Sequence, residues 1–177
     1  MKFIDEMDLK GKTVLFRFDY NVPLDSSLNI TDDIRIRATL PTINYALDAG
    51  AKVVIMSHLG RPKGKVAPEF SLAPVAKRLS RLVNKQVAMA KDCIGDEVKK
   101  LVKEMNPGCI VLLENLRFHI EEEKNHDEFA KALASLGDGY IDDAFGTAHR
   151  KHASNVGIIK YMKEYVAGFR IKQEFNY

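Results

Sequence analysis

The sequence has few of the features that mark secreted, membrane or zinc-binding proteins. It contains 2 cysteines, Cys93 and Cys109, which are too few for a disulfide framework and lack close cysteine or histidine partners for structural zinc. No apolar run exceeds about six residues, far short of a membrane span. The first ten residues are too acidic for a secretory signal. These absences favour a reducing, cytoplasmic location and no membrane partner.

Neither positive nor negative charge predominates in the sequence. The 177 residues carry a net charge of +3, so neither nucleic acid nor an anionic membrane surface is demanded as a partner. The hydrophobic content of 46% and the charged content of 29% are ordinary for a globular protein. This length predicts one domain with a substantial core.

Several sequence motifs that would indicate a catalytic or cofactor-binding function are absent or incomplete. There is no G-x-G-x-x-G turn for a dinucleotide, and no serine or cysteine in a recognisable nucleophile elbow. The segment KGKT at 10–13 imitates the end of a phosphate-binding P-loop. Glu6 stands where that motif needs its first glycine, and no strand precedes it. The chemistry must therefore come from residues that the fold brings together.

Short apolar runs alternate with helical periodicity along the whole chain, which is typical of a doubly wound α/β protein. Pro41 should break or kink the first helical segment. We predict a Rossmann-like three-layer α/β/α domain with a mostly parallel sheet of about six strands. The expected strands are 13–18, 52–57, 86–90, 110–115 and 139–145, and the expected helices are 31–50, 71–84, 95–105 and 125–137.

Charged residues follow the strands in an unusual way. Alternate side chains of a strand share a face, so the segment VLFRFDYNVP (14–23) has an aromatic face and a polar face. Ligands of open parallel sheets bind beyond the carboxyl ends of the strands, and arginine suits phosphate and carboxylate. A pocket for a sugar phosphate or a small phosphorylated acid is therefore predicted. Its candidate residues are Asp19, Asn21, Arg35, His58, Arg61, Arg117, His149 and Arg150.

Other interpretations of the same residues remain open. Arg17 lies deeper in the first strand and could be the buried partner of an acid such as Asp142 or Asp143. His119 and the glutamate run 121–123 are expected at the surface, the glutamates as a solvated helix entry. The basic groups could also serve a non-catalytic anion- or nucleic-acid-binding module, although their position at strand ends and the lack of an aromatic ladder argue against nucleic acid.

Five ordered sequence blocks resemble the phosphoglycerate kinase family. They are RFDYNVP, DDIRIRATLPTI, SHLGRPKG, LLENLRF and DDAFGTAHRKHAS, in family order and at family spacing. The resemblance covers essentially the whole chain and corresponds to the N-terminal half of that enzyme. It implies a substrate-binding domain over residues 1–167 and the start of an inter-domain helix over 168–177. The C-terminal nucleotide-binding domain of the family would be absent from this chain.

The resemblance also implies roles for the candidate residues. The reaction would transfer a phosphoryl group between ATP and the carboxylate of 3-phosphoglycerate, giving 1,3-bisphosphoglycerate. Arg35 would be catalytic, with Asp19 and Asn21 near the glycerate hydroxyl, and Arg17 and Tyr20 as possible further binding residues. The phosphate and its approach would be surrounded by His58, Arg61, Arg117, His149 and Arg150.

The nucleotide would bind elsewhere in that enzyme. Mg-ATP or Mg-ADP would arrive on the missing half, so no cofactor and no metal ligand are expected on this chain. The partners would be the small phosphorylated substrate and the C-terminal domain of the same polypeptide, in a monomer. The 177 residues alone are expected to bind substrate without turnover.

Overall fold

A six-stranded sheet, parallel throughout, forms the centre of the computed structural model. The structure describes residues 2–144, 150–169 and 171. The strands are β1 (Thr13–Arg17), β2 (Lys52–Met56), β3 (Val87–Met89), β4 (Ile110–Leu112), β5 (Gly139–Asp142) and β6 (Glu164–Ala167). The helices are α1 (Ile34–Arg37), α2 (Leu40–Asp48), α3 (Ala73–Val83), α4 (Asp96–Lys103) and α5 (Asp127–Ala134).

The strands follow the order β3-β4-β2-β1-β5-β6, which places β1 near the middle. Leu15 of β1 is in register with Val54 of β2 on one side and with Tyr140 of β5 on the other. Because every strand pair is parallel, the carboxyl ends of β4, β2, β1 and β5 lie side by side along one edge of the sheet. This confirms the predicted fold class and provides the edge on which the site is built.

Helices cover both faces of the sheet, so the three-layer prediction is confirmed. On one face Phe16 and its strand neighbours pack against Ile43 of α2 and Leu79 of α3. On the other face Leu15 packs in a second apolar cluster that contains Val98 of α4 and Leu133 of α5. Alternate residues of β1 therefore enter opposite cores, as expected for a strand buried on both sides.

The predicted helix 31–50 is two helices. Helix α1 ends at Arg37 and α2 begins at Leu40, so Pro41 occupies the first turn of α2, where its missing N–H is not needed. The expected break is confirmed. Helix α1 also starts later than expected, because the side chain of Asp32 accepts from the backbone N–H of Ile34.

The sequence did not single out β6, although the predicted number of strands is correct. Its last residue, Ala167, coincides with the expected end of the domain, and the assignment of 168–177 to an inter-domain helix stays a prediction. Across the described residues, no helix has both the length and the apolar character needed to cross a bilayer.

Candidate functional site

A polar cavity of about 310 Å³ opens at the carboxyl-end edge of the sheet. Seven of the eight binding residues predicted from the sequence line it, and His149 lies outside the described residues. A depression of similar size, between residues 27–30 and the start of α3, lies away from the strand ends, so volume alone does not identify the site. The cavity is lined by Asp19, Asn21, Arg35, His58, Gly60, Arg61, Arg117 and Arg150.

The loop after β1 orients Arg35 of α1. The Nη1 of Arg35 donates to Asp19 Oδ1 at 3.2 Å and to the carbonyl oxygen of Asn21 at 2.8 Å. The side chain nevertheless remains 47% exposed. One end of the guanidinium is therefore fixed while the group stays accessible from the cavity.

The turn at Gly60 connects the loop after β2 to both neighbouring loops. Its N–H donates to Asn21 Oδ1 at 2.9 Å, and its carbonyl oxygen accepts from Arg117 Nη1 at 3.1 Å. Gly60 has a φ of +63°, and an added Cβ would lie 2.5 Å from the ring of Phe70. Glycine is therefore favoured by the left-handed backbone conformation, and a larger residue would have to displace the Phe70 ring.

Arg117 is the most deeply buried cation that lines the cavity. Its backbone N–H donates to Asn115 Oδ1 at 3.0 Å, which anchors the short 3-10 helix Leu116–Phe118. The side chain is 4% exposed, and the nearest paired carboxylate oxygen, on Glu123, lies 3.8 Å from Nε. Among the described residues this Nε has no hydrogen-bond partner. Burial lowers the pKa of Arg117, so its charge is only partly compensated by the protein.

His58 enters the cavity as a neutral ring. Its Nδ1 lies 2.9 Å from Arg17 Nη2. A guanidinium group can only donate, so Nδ1 must accept and the ring proton must be on Nε2. Burial, followed by the charges of Arg17 and Arg117, lowers the pKa of His58 to about 2.

Arg17 and Tyr20, the two possible binding residues, lie beneath the cavity and do not line it. Tyr20 is fully buried with its ring against that of Phe18, and its hydroxyl is 2.8 Å from Thr39 Oγ1. Arg17 is also buried, where it donates to Ser154 Oγ at 2.9 Å and to the carbonyl oxygen of Phe18. Ser154 in turn donates to Glu122, so Arg17 reaches an acid through a serine, and that acid is Glu122, whereas the sequence had suggested Asp142 or Asp143.

Glu122 corrects the expectation that residues 121–123 form a solvated helix entry. Its side chain is 0% exposed, because the chain turns after Phe118 and carries it under the loop that contains Ser154. Glu123 is exposed, as expected. Because residues 121–123 are all glutamate, the sequence alone does not indicate which of the three side chains is buried.

A second correction concerns Cys93 and His119. The fold places His119 and Asp92 beside the buried thiol, although the sequence gave Cys93 no nearby histidine. His119 Nε2 lies 2.7 Å from Asp92 Oδ1, which is a hydrogen bond. Two ligands of a tetrahedral zinc ion would stand about 3.3 Å apart. The arrangement is accounted for as a histidine–carboxylate pair beside a protonated thiol, whose pKa is raised by burial.

The cavity as a whole attracts anions. Its lining residues contribute four guanidinium groups, from Arg35, Arg61, Arg117 and Arg150, against the single carboxylate of Asp19. The neutral ring of His58 adds a hydrogen-bond donor, and the amide of Asn21 adds another polar group. Such a site suits a small ligand that carries more than one negative charge.

Comparison with known proteins agrees with these observations. The family profile described as phosphoglycerate kinase matches residues 4–177. The chain belongs to the phosphoglycerate kinase family. It is 59% identical to a phosphoglycerate kinase of Geobacter metallireducens, covering 100% of this chain and 45% of that protein. It is 58% identical to a cytosolic phosphoglycerate kinase of wheat, Triticum aestivum, covering 98% of this chain and 43% of that protein.

Solved phosphoglycerate kinases share the fold. The structure from Coxiella burnetii superimposes with a TM-score of 0.88 at 41% identity, covering 98% of this chain and 43% of that one. The structure from Pyrococcus horikoshii gives a TM-score of 0.89 at 34% identity, covering 99% of this chain and 44% of that one. The chain therefore spans a little under half the length of the phosphoglycerate kinases that it resembles.

Two features of this chain were missed in the sequence. Gly60 lies inside the block SHLGRPKG, in which the next residue, Arg61, was selected from the sequence. The role of Gly60 in joining three loops was missed because it depends on contacts with Asn21 and Arg117. The buried pair of Glu122 and Ser154 joins residues 32 positions apart. No local pattern reports such a contact.

Proposed function

We propose that this chain supplies the 3-phosphoglycerate site of a phosphoglycerate kinase. The full enzyme would transfer a phosphoryl group between ATP and the carboxylate of 3-phosphoglycerate, with 1,3-bisphosphoglycerate as the other acid. One observation carries the proposal: residues from four separate strand ends line one cavity with four guanidinium groups and one carboxylate. The ligand has a phosphate, a carboxylate and a hydroxyl, which match cations, a hydrogen-bond donor and an acceptor in that cavity.

The proposed roles follow from the position of each group. Arg61, Arg117 and Arg150 would hold the phosphate, because guanidinium groups bind phosphate oxygens with two parallel hydrogen bonds. Asp19 and Asn21 would bind the hydroxyl region of the acid. His58 would donate a hydrogen bond as a neutral ring, and His149 keeps the role that the sequence resemblance implies. The cavity is compact and concave, which supports a small ligand and not a nucleic-acid backbone.

Arg35 is the proposed catalytic residue. In phosphoryl transfer to a carboxylate two anions must approach each other, and a nearby cation offsets both their repulsion and the charge of the transition state. No general base is needed, because a carboxylate is already ionised near neutral pH. The hydrogen bonds from Arg35 to Asp19 and to the backbone of Asn21 support a fixed position for this cation.

The nucleotide is proposed to bind outside this chain. Magnesium would arrive with ATP or ADP on the portion of the relatives that these 177 residues do not span. Closure of the two domains would then exclude water from the reacting groups. Consequently, a polypeptide of these residues alone should bind the acid but should not transfer a phosphoryl group.

An NMR titration of the 177-residue polypeptide tests the proposal directly. Adding 3-phosphoglycerate should shift the amide signals of Asp19, Arg35, Arg61, Arg117 and Arg150, whereas Mg-ATP should shift them little. Glycerate, which lacks the phosphate, should bind more weakly. No response to 3-phosphoglycerate would contradict the proposed site, and so would tighter, steeply salt-dependent binding of an oligonucleotide.

A sensitive coupled assay tests the expected lack of turnover. Activity that is present in the purified 177-residue chain and lost in Arg35→Met would contradict the expectation. Activity that persists unchanged in the variant would come from a contaminating host enzyme.

A further inference from the structure

A fully buried carboxylate lies beneath the candidate site and outside the roles assigned so far. Glu122 is 0% exposed, and both of its carboxylate oxygens accept from one residue. Oε1 accepts from the backbone N–H of Ser154 at 2.8 Å, and Oε2 accepts from the Ser154 hydroxyl at 2.5 Å. Burying a carboxylate is costly unless it is well paired, so its precise bonding to Ser154 calls for a physical explanation.

The hydroxyl of Ser154 links Glu122 to Arg17 through two hydrogen bonds. Arg17 Nε donates to Ser154 Oγ at 2.9 Å. Since a guanidinium group cannot accept, the serine oxygen must accept here, and its own proton must go to Glu122. The orientation of the serine hydroxyl is therefore determined by its two partners. Arg17 is almost completely buried, and Glu122 is the acid that its hydrogen bonds reach across the serine. Burial raises the pKa of Glu122, and the positive charge of Arg17 opposes that shift, so the two groups favour each other's charged forms.

The third step connects Arg17 to the cavity. Its Nη2 donates to His58 Nδ1 at 2.9 Å, and its Nη1 donates to the carbonyl oxygen of Phe18, so the guanidinium plane is held on three sides. His58 lines the cavity. Because Nδ1 is occupied from below, Nε2 is the nitrogen left for a ligand, and it carries the ring proton.

Arg17 is the donor in both directions of this series, to His58 on one side and to Ser154 on the other. His58 Nδ1 accepts from Arg17, Arg17 donates to Ser154, and Ser154 donates to Glu122. We propose that Glu122 is a positioning residue which, through Ser154 and Arg17, holds His58 in the neutral tautomer with its proton on Nε2 and directs that donor to an anionic oxygen of the bound acid. The proposal rests on the proposed function for the identity of the acid, and on geometry alone for the tautomer.

The same arrangement explains why the cavity needs a neutral histidine. A charged ring beside Arg17 and Arg117 would place a further cation in an already cationic, partly buried region. A neutral ring without a fixed tautomer could present a lone pair to the anion, which would repel it. Fixing the proton on Nε2 from below removes both of these states before the ligand arrives.

Imidazole ¹⁵N NMR of the full 177-residue chain reports the tautomer without reference to activity. The His58 signals are assigned by their disappearance in His58→Gln. In the parent chain they should show one protonated and one unprotonated nitrogen, with the proton on Nε2. Glu122→Gln keeps the size and removes the charge, so Arg17 loses its compensation and the His58 signals should change to a mixture of forms. Glu121→Gln makes the same chemical change one residue earlier and should leave them unchanged.

Calorimetric titration of the same proteins with 3-phosphoglycerate gives the second measurement. Glu122→Gln should weaken binding by about tenfold or more, equivalent to losing one hydrogen bond to a charged group. Glu121→Gln should bind like the parent. A Glu122→Gln protein with the His58 tautomer intact and an affinity within about threefold of the parent would overturn the proposal.

Two further outcomes have defined meanings. If Glu122→Gln does not fold, Ser154→Ala breaks the same series while it leaves the carboxylate in place, and it should produce the same change at His58. An unchanged tautomer in Ser154→Ala would overturn the proposal. If the parent chain does not bind 3-phosphoglycerate, the proposed function fails, while the tautomer comparison still decides the role of Glu122.

Discussion

Replacing Arg117 with methionine should separate ligand binding from the stability of the free protein. The guanidinium is 4% exposed, and its nearest paired carboxylate oxygen is 3.8 Å away. It donates one hydrogen bond to the carbonyl oxygen of Gly60, while its Nε has no partner among the described residues. Methionine fills a similar space with a flexible, uncharged side chain.

The two expected effects differ in size and in sign. For the free protein, losing one hydrogen bond costs ~0.5–1.5 kcal/mol. Removing a buried, poorly compensated cation recovers a desolvation penalty of at least comparable size. The free energy of unfolding should therefore change by less than about 1 kcal/mol, or rise. For the bound protein, two hydrogen bonds to a phosphate would be lost at ~1.5–3 kcal/mol each, which weakens binding by at least about 100-fold.

Urea unfolding without ligand and calorimetric titration with 3-phosphoglycerate measure these quantities separately. The matched control is Arg81→Met on the exposed side of α3, which should change neither of them. A loss of more than about 2 kcal/mol in the free Arg117→Met protein would show that Arg117 supports the fold. An affinity within about threefold of the parent would show that Arg117 does not bind the phosphate.

Three further changes test the core, the turn and the buried acid. Leu79→Ala in α3 should lower the free energy of unfolding by ~2–5 kcal/mol, measured in urea, because the side chain is fully buried between α3 and the sheet. Gly60→Ala should destabilise the loop by at least about 1 kcal/mol and weaken 3-phosphoglycerate binding, since its Cβ would clash with Phe70; equal affinity in a titration would contradict this. Burial raises the pKa of Asp142 to about 6, so the folded state holds this proton more tightly than the unfolded chain. The resulting stability is present below about pH 4 and is lost as the pH rises through about 6. Near pH 7, Asp142→Asn should therefore have a free energy of unfolding ~1–3 kcal/mol higher than the parent, measured in urea. Near pH 3 the two proteins should be equally stable. A difference of the same size at both pH values would refute the prediction.

Much of the fold could be predicted from the sequence because local and global signals agree. The apolar runs of β2 and β4 predict strands covered on both faces, and the helical segments between them predict parallel pairing. Pro41 marks the start of α2, and Pro74 lies in the first turn of α3. The sixth strand was harder to identify, because EYVA is short and two of its four residues are exposed.

The candidate site could be predicted in part for a similar reason. Parallel strands must end at one edge of the sheet, so residues after β1, β2, β4 and β5 converge whatever the details of the loops. The buried hydrogen bonds beneath that edge could not be predicted from the sequence. Glu122 meets Ser154 only because the loop after β4 and the segment after β5 pack together, and the glutamate run has no periodicity that selects its middle member.

Arg17 and Arg117, two buried arginines at this edge of the sheet, differ in how well the protein compensates their charges, and the difference supports the proposed binding role of Arg117. Arg17 donates to three fixed acceptors and has Glu122 beyond Ser154, so its charge is compensated inside the protein and contributes mainly to orientation. Arg117 is compensated less well, because its nearest paired carboxylate oxygen, on the exposed Glu123, is 3.8 Å away, and a dianionic phosphate would add the missing negative charge. A well-compensated cation stabilises the arrangement of its neighbours in the free protein. A poorly compensated cation keeps much of its desolvation cost until an anion binds, and the anion then offsets that cost, which makes binding more favourable. Exchanging these two environments, by giving Arg117 an internal acid or by removing the acid beneath Arg17, should therefore weaken binding in both cases for opposite reasons.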